Sequence, residues 1–300
     1  MRRARRVVAA LVLVIAAAAP ARPARAQAPS HTAGTPELRA ELLAEPTTPS
    51  AAAPATRVLL RLHVAPGWHV YWHQPGETGL PTVVEWELPV GWRVQDTRWP
   101  VPARLAVEGV VAHVLRDEVP LLVSLRAPSP ARGPALVRAT VRYGVCREVC
   151  IPQRLQLALR LPAAPTASAA AEWRAALAAA APRLAAPLAS ADVRAFRDSD
   201  ALCVGVRDTR GPRSDSLVFF PADAIVLPAA AVLPARRRGG WTWLRLPLPA
   251  GAAPAARLRG TLAGGAGGGA PAGVELDVPV AAGVAVAVPD ACRSGPHTGA

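Results

Sequence analysis

Proline and glycine cut this chain into short pieces, and within most pieces apolar residues recur at every second position. From Thr56 onward Val58, Leu60, Leu62 and Val64 alternate with other residues. Further strand-like runs follow at Val83 to Leu88, Trp92 to Trp99, Glu118 to Leu125, Ala135 to Val145 and Leu155 to Leu161. Turn signals separate them at Pro66-Gly67, Pro75-Gly76, Pro89 and Gly91, Pro100, and Pro128 to Pro134. A period of two puts alternate side chains on opposite faces of a strand, and many short strands at this spacing predict an antiparallel sandwich. Upstream, Glu37 to Glu45 reads as a first strand inside a stretch rich in Ala, Pro, Thr and Ser.

Pro162 to Ser190 breaks the pattern. Ala169 to Ala180 favours helix, Glu172 lies near its start, and Pro182 interrupts it. Strands resume at Ala191 to Phe196, Leu202 to Val206, Leu217 to Phe220, Trp241 to Leu248, Ala256 to Leu262 and Val274 to Val280. The Gly264 to Gly269 run reads as a hairpin loop. Neither a helix nor a Lys-Ser/Thr pair follows it, which argues against a phosphate cradle. The reading is all-β: two antiparallel β-sandwich domains, 29–162 and 191–286, joined by a short Ala-rich helical linker, 163–190, with a disordered tail at 287–300.

Residues 1–28 read as a signal peptide. Arg2, Arg3, Arg5 and Arg6 precede an unbroken apolar run from Val7 to Ala19, and Ala24-Arg25-Ala26 offers small residues for cleavage. That run is short for a membrane span. Export predicts a compartment where disulfides persist. The formal charge of +13 shrinks with the leader: six of its 34 basic residues lie there, leaving 28 against 21 acidic, or +7. Every basic residue is Arg, with no stripe interleaved with aromatics, so nucleic-acid binding is not expected.

Cys146 and Cys150 are separated by three residues at the connection between two strands. A bridge across a ring of about five residues stabilises by only about 2 kcal/mol on the chain-entropy estimate, against nearly 5 for a ring of about 100. A tight, exposed ring is better suited to opening and closing. Redox use, a purely structural bridge and metal binding are the three readings of the pair. Cys203 lies within an alternating strand, where a free cysteine is usually a small buried hydrophobe, and Cys292 lies in the tail. Sequence does not establish whether they pair.

A second landmark runs from Gly67 to Pro81, Gly-Trp-His-Val-Tyr-Trp-His-Gln-Pro-Gly-Glu-Thr-Gly-Leu-Pro, crowding aromatic, imidazole and carboxyl groups. With Trp86-Glu87-Leu88-Pro89, Trp99-Pro100-Val101-Pro102 and the stretch from Tyr143 through the cysteines to Ile151-Pro152, it resembles the N-terminal periplasmic domain of DsbD-type protein-disulfide reductases. Within that family it is most similar to the ScsB-like, copper-tolerance branch. The resemblance covers about residues 35 to 162. Phe219-Phe220-Pro221 resembles the second domain of that branch more weakly.

The resemblance implies an immunoglobulin-like periplasmic sandwich that exchanges thiols and disulfides without a cofactor. Cys150 would form the mixed disulfide and Cys146 would resolve it. The partners implied are a thioredoxin-like electron donor and periplasmic thioredoxin-fold acceptors. DsbD-type proteins continue into membrane helices and a thioredoxin-like domain, which do not follow here, so a separate membrane electron conductor is also implied. Tyr71, Glu77 and Glu148 are candidates for proton transfer and thiolate stabilisation. A capping loop would map to Gly109 to Asp117, with His113 and Leu115 where the branch has tyrosines. Two rivals stand beside this reading. One is a copper-binding protein, whose thiols would need His69, His73 or His113 brought in by folding; we assign no metal ligands. The other is a non-catalytic interaction module.

Overall fold

The computed structural model describes residues 30–46, 55–128, 134–161, 166–198, 200–223, 232–251, 256–264 and 273–281, together with Cys292. The leader at 1–28, the glycine run beyond Gly264 and the tail apart from Cys292 lie outside the described residues.

The first sandwich is built from β1 (Thr32–Gly34), β2 (Leu38–Ala44), β3 (Ala55–Val64), β4 (His69–Gly76), β5 (Val83–Glu87), β6 (Arg93–Arg98), β7 (Ala103–Val107), β8 (Val110–Leu115), β9 (Glu118–Arg126), β10 (Ala135–Cys146) and β11 (Cys150–Leu161). One sheet has the order β1-β2-β3-β9-β6. The other runs β11-β10-β4-β8-β7, with β5 also paired to β10. Leu42, Leu60, Leu62, Leu121 and Leu125 of the first sheet meet Val70, Trp72, Val141, Val145 and Leu157 of the second, which is the burial that the alternation demands.

β10 carries the architecture. It pairs with β11 without a break from Ala135 opposite Leu161 to Cys146 opposite Cys150. Its other edge is shared: β5 covers Arg138 to Arg142, and β4 takes over at Val145 and Cys146. Arg138 and Glu87 pair across strands at 2.7 Å, and Arg142 pairs with Glu85. All four are exposed, so these ion pairs set register more than they add stability.

The helix α1 (Ala167–Ala180) begins where the Thr166 hydroxyl accepts a hydrogen bond from the Ala169 N–H, a conventional N-cap. It is not a free linker. Trp173, Ala176 and Ala180 lie on Leu43, Leu59 and Leu122, the outer face of the first sheet. Leu59 interrupts the Val58, Leu60, Leu62 alternation, and this helix supplies its cover.

The second sandwich comprises β12 (Ala186–Pro187), a single 3-10 turn at Ser190–Asp192, β13 (Val193–Asp198), β14 (Ala201–Arg207), β15 (Ser216–Pro221), β16 (Val232–Pro234), β17 (Arg236–Arg238), β18 (Trp241–Pro247), β19 (Arg257–Gly264) and β20 (Gly273–Pro279). Its sheets run β12-β20-β19-β15-β16 and β13-β14-β18-β17. Leu202, Val204, Leu217, Leu244, Leu262 and Leu276 are among its core residues. Val218, Phe220 and Ala263 leave that core and join the first. Phe220 stands edge-on to His113 at 5.1 Å and to Trp72 at 6.4 Å between ring centroids.

Cys203 and Cys292, whose pairing the sequence leaves open, form a disulfide. Both are fully buried beside Phe196, Trp241 and Trp243, and the Cys292 sulfur reaches the Leu244 carbonyl at 3.4 Å.

Candidate redox site

Cys146 and Cys150 are joined in a disulfide at the tip of the β10–β11 hairpin, with Arg147, Glu148 and Val149 forming the loop between them. The two sulfurs sit in different surroundings. Cys146 is 2% exposed, packed with Tyr71, Ala112, Val114 and Leu105, whereas Cys150 is exposed. The hydroxyl of Tyr71 lies 3.6 Å from the Cys150 sulfur. Burial pushes the Tyr71 pKa above its usual value, so the phenol keeps its proton at neutral pH and can donate it toward sulfur.

The landmark at Gly67–Pro81 is mostly strand, and period two sorts it. Val70 and Trp72 enter the sandwich core, while His69 and Tyr71 face the cysteines' side of the sheet. The Tyr71 ring is held by the segment that follows. Gly79 has a φ of +107°, and a Cβ there would fall 2.2 Å from the ring, so glycine is needed on both counts. The Thr82 hydroxyl donates to the Tyr71 carbonyl at 2.6 Å. Glu77 is not at the sulfurs. Its carboxylate accepts from the Val111 N–H at 2.6 Å while its own N–H donates to the Val111 carbonyl at 2.9 Å, pinning this loop to β8. Glu148 is exposed in the cysteine loop.

His113 and Leu115 do not cap the pair. Both lie in β8, not in a loop, and with Val111 they take the face opposite Ala112 and Val114. His113 is fully buried. Its Nδ1–H donates to the Gln74 carbonyl at 2.9 Å, and its Nε2 has no partner. Burial lowers its pKa to about 4, against the opposing pull of the Gln74 carbonyl and Glu77. From this hairpin Ala112 and Val114 of β8, with Leu105 of β7, pack against Cys146. Leu105, Ala112 and Val114 are site residues that sequence reading passed over, and His69 enters it only as a copper-ligand candidate. Counting by twos from Tyr71 would have found His69.

Residues 39–162 match the family described as thiol:disulfide interchange protein DsbD, N-terminal. Over those residues the first sandwich is similar to a DsbD N-terminal, thiol–disulfide exchange domain. The fold extends beyond it. The N-terminal periplasmic domain of ScsB from Proteus mirabilis superposes with a TM-score of 0.56 at 17% identity, covering 83% of this chain and 98% of that one. The GAE domain of GGA2p from Saccharomyces cerevisiae covers 45% of this chain and 98% of its own at a TM-score of 0.28 and 11% identity. No curated protein matches the chain.

If Tyr71 stabilises the Cys150 thiolate, Tyr71→Phe in the reduced protein raises the Cys150 pKa by about one unit, the value of one hydrogen bond to a charged acceptor. The pH dependence of alkylation by iodoacetamide measures it, and an unchanged profile would remove Tyr71 from the chemistry.

Proposed function

We propose that the chain relays electrons by thiol–disulfide exchange through Cys146 and Cys150, taking them from a thioredoxin-like donor and passing them to periplasmic thioredoxin-fold acceptors. The observation that carries this is the asymmetry of the pair: one exposed sulfur beside a hydroxyl donor, and one buried sulfur behind it. An exposed thiolate can attack a partner disulfide, and a sheltered second thiol can then release the product. The residue division into a redox sandwich at 29–162 and a second sandwich at 191–286 belongs to the same proposal. So does export after loss of residues 1–28. Among the described residues no helix is long and apolar enough to cross a membrane.

The copper reading ranks behind it. Among the described residues no group of three or more His, Cys, Asp or Glu is placed to hold a metal ion, and His113 faces away from the sulfurs.

Thiol trapping of the protein equilibrated across glutathione or dithiothreitol mixtures tests the relay. The expected result is reversible opening of Cys146–Cys150 in the folded protein, with Cys150→Ala abolishing mixed disulfides and Cys146→Ala trapping them. A bridge that opens only on unfolding would reduce the pair to a structural one.

A further inference from the structure

A dithiol relay needs a proton acceptor for its buried thiol. Cys146 must become a thiolate before it can attack the mixed disulfide at Cys150, yet apolar burial favours the protonated form. Ala112, Val114 and Leu105 offer it nothing, and the Tyr71 hydroxyl, still protonated, stands by Cys150.

His69 stands directly across the ladder from Cys146, as its register partner between β4 and β10. Opposed residues in an antiparallel pair project from the same face with Cβ atoms about 5 Å apart. The imidazole lies edge-on to Tyr71 at 5.4 Å between centroids, on the same face as the cysteine pair. Its Nε2 is buried with no hydrogen-bond partner, leaving a lone pair unused when Nδ1 carries the proton. Of the charged groups nearby, Arg116 disfavours a second positive charge and Arg147 is stacked 5.0 Å from the Trp68 ring. The Glu77 carboxylate is occupied at Val111, and Glu148 is exposed in the cysteine loop. Burial first, then Arg116, lower the His69 pKa and keep it neutral at pH 7.

Building on the relay proposed above, we propose that His69 accepts the proton of the Cys146 thiol during release of the bound partner. Cys150, as thiolate, first attacks the partner disulfide: one Cys150–partner bond forms, the partner's own disulfide breaks, and its first sulfur leaves with the electron pair and takes a proton. Cys146 then passes its proton to His69, and its sulfur attacks Cys150. The Cys146–Cys150 bond forms as the Cys150–partner bond breaks. The second partner sulfur leaves with an electron pair and takes the proton from His69. Two electrons have moved from this chain to the partner, together with one proton from Cys146 by way of His69; the proton taken by the first partner sulfur comes from water.

The test uses the chain with Cys146 and Cys150 reduced and Cys203–Cys292 closed, and dithiobis-nitrobenzoate, whose coloured thiolate is released once on attack by Cys150 and again on resolution by Cys146. In the parent, the second phase should slow on acidification with an inflexion below pH 6.5, where His69 takes up a proton. His69→Gln should slow that phase about a hundredfold at pH 7 and move its inflexion toward the thiol value near about 8.5, leaving the first phase intact. In His69→Ala, added imidazole should restore the second phase while having no effect on the parent. A second phase unchanged in His69→Gln, or unaffected by imidazole in His69→Ala, overturns the assignment. If both variants fail to fold, shown by loss of the parent's tryptophan fluorescence and circular dichroism, the parent profile decides, and a single inflexion in the thiol range overturns it. Absence of any second phase in the parent would instead sink the relay itself.

Discussion

Replacing Cys203 or Cys292 by alanine is expected to lower the free energy of unfolding by about 4–5 kcal/mol. The two lie 89 residues apart, and on the chain-entropy account a ring of that size constrains the unfolded chain far more than the short Cys146–Cys150 ring. Each variant also leaves its partner thiol buried against Phe196, Trp241 and Trp243. Guanidinium denaturation of each variant against the parent measures the loss, and a midpoint within error of the parent would show that the bridge does not hold the second sandwich. The same burial predicts selectivity. Mild dithiothreitol should open Cys146–Cys150 while Cys203–Cys292 stays closed, which mass spectrometry after alkylation resolves.

Acidification should weaken the seam between the sandwiches. His73 and His113 both have pKa values lowered to about 4, mainly by burial. His73 also feels His113 and Arg259, with Asp223 pulling the other way. A histidine lowered in the fold binds its proton earlier when unfolded. Stability is therefore full above about pH 6.5 and falls as pH drops toward 4, by about 3 kcal/mol for each histidine over that window. Glu275 in the same seam opposes this. Burial raises its pKa, so the folded chain takes up that proton first and gains stability as pH falls through the raised value. Urea unfolding followed by tryptophan fluorescence at pH 7, 5.5 and 4.5 should show the net decline. A flat profile would mean that the histidines are hydrated, not sealed.

The strands that pack on one face were legible because their residues obey period two. Leu38–Ala44, Glu118–Arg126 and Ala135–Cys146 fall within a residue or two of where alternation puts them, whereas Cys150–Leu161 begins well before the alternating run at Leu155. The strand at His69–Gly76 was hidden because both of its faces are covered, so apolar and aromatic residues occupy consecutive positions. The β7–β8 hairpin was read as a cap for a related reason. It turns at Glu108 and Gly109, both at positive φ, and nothing in a single sequence says that β8 presents Val111, His113 and Leu115 inward and Ala112 and Val114 toward Cys146. The cysteine pair itself was plain from its spacing. Which sulfur is sheltered depends on the segment lying over Tyr71, a contact between distant strands.

The first sandwich has two apolar faces that it does not cover itself. Leu43, Leu59 and Leu122 rely on Trp173 of α1, and Trp72 and His113 rely on Phe220 from beyond it. A fragment ending at Leu161 would present both faces to water, and contiguous apolar surface of that kind is sticky. Self-association of the isolated redox domain would then be a property of the cut, and the intact chain is the form whose solution behaviour reflects the molecule.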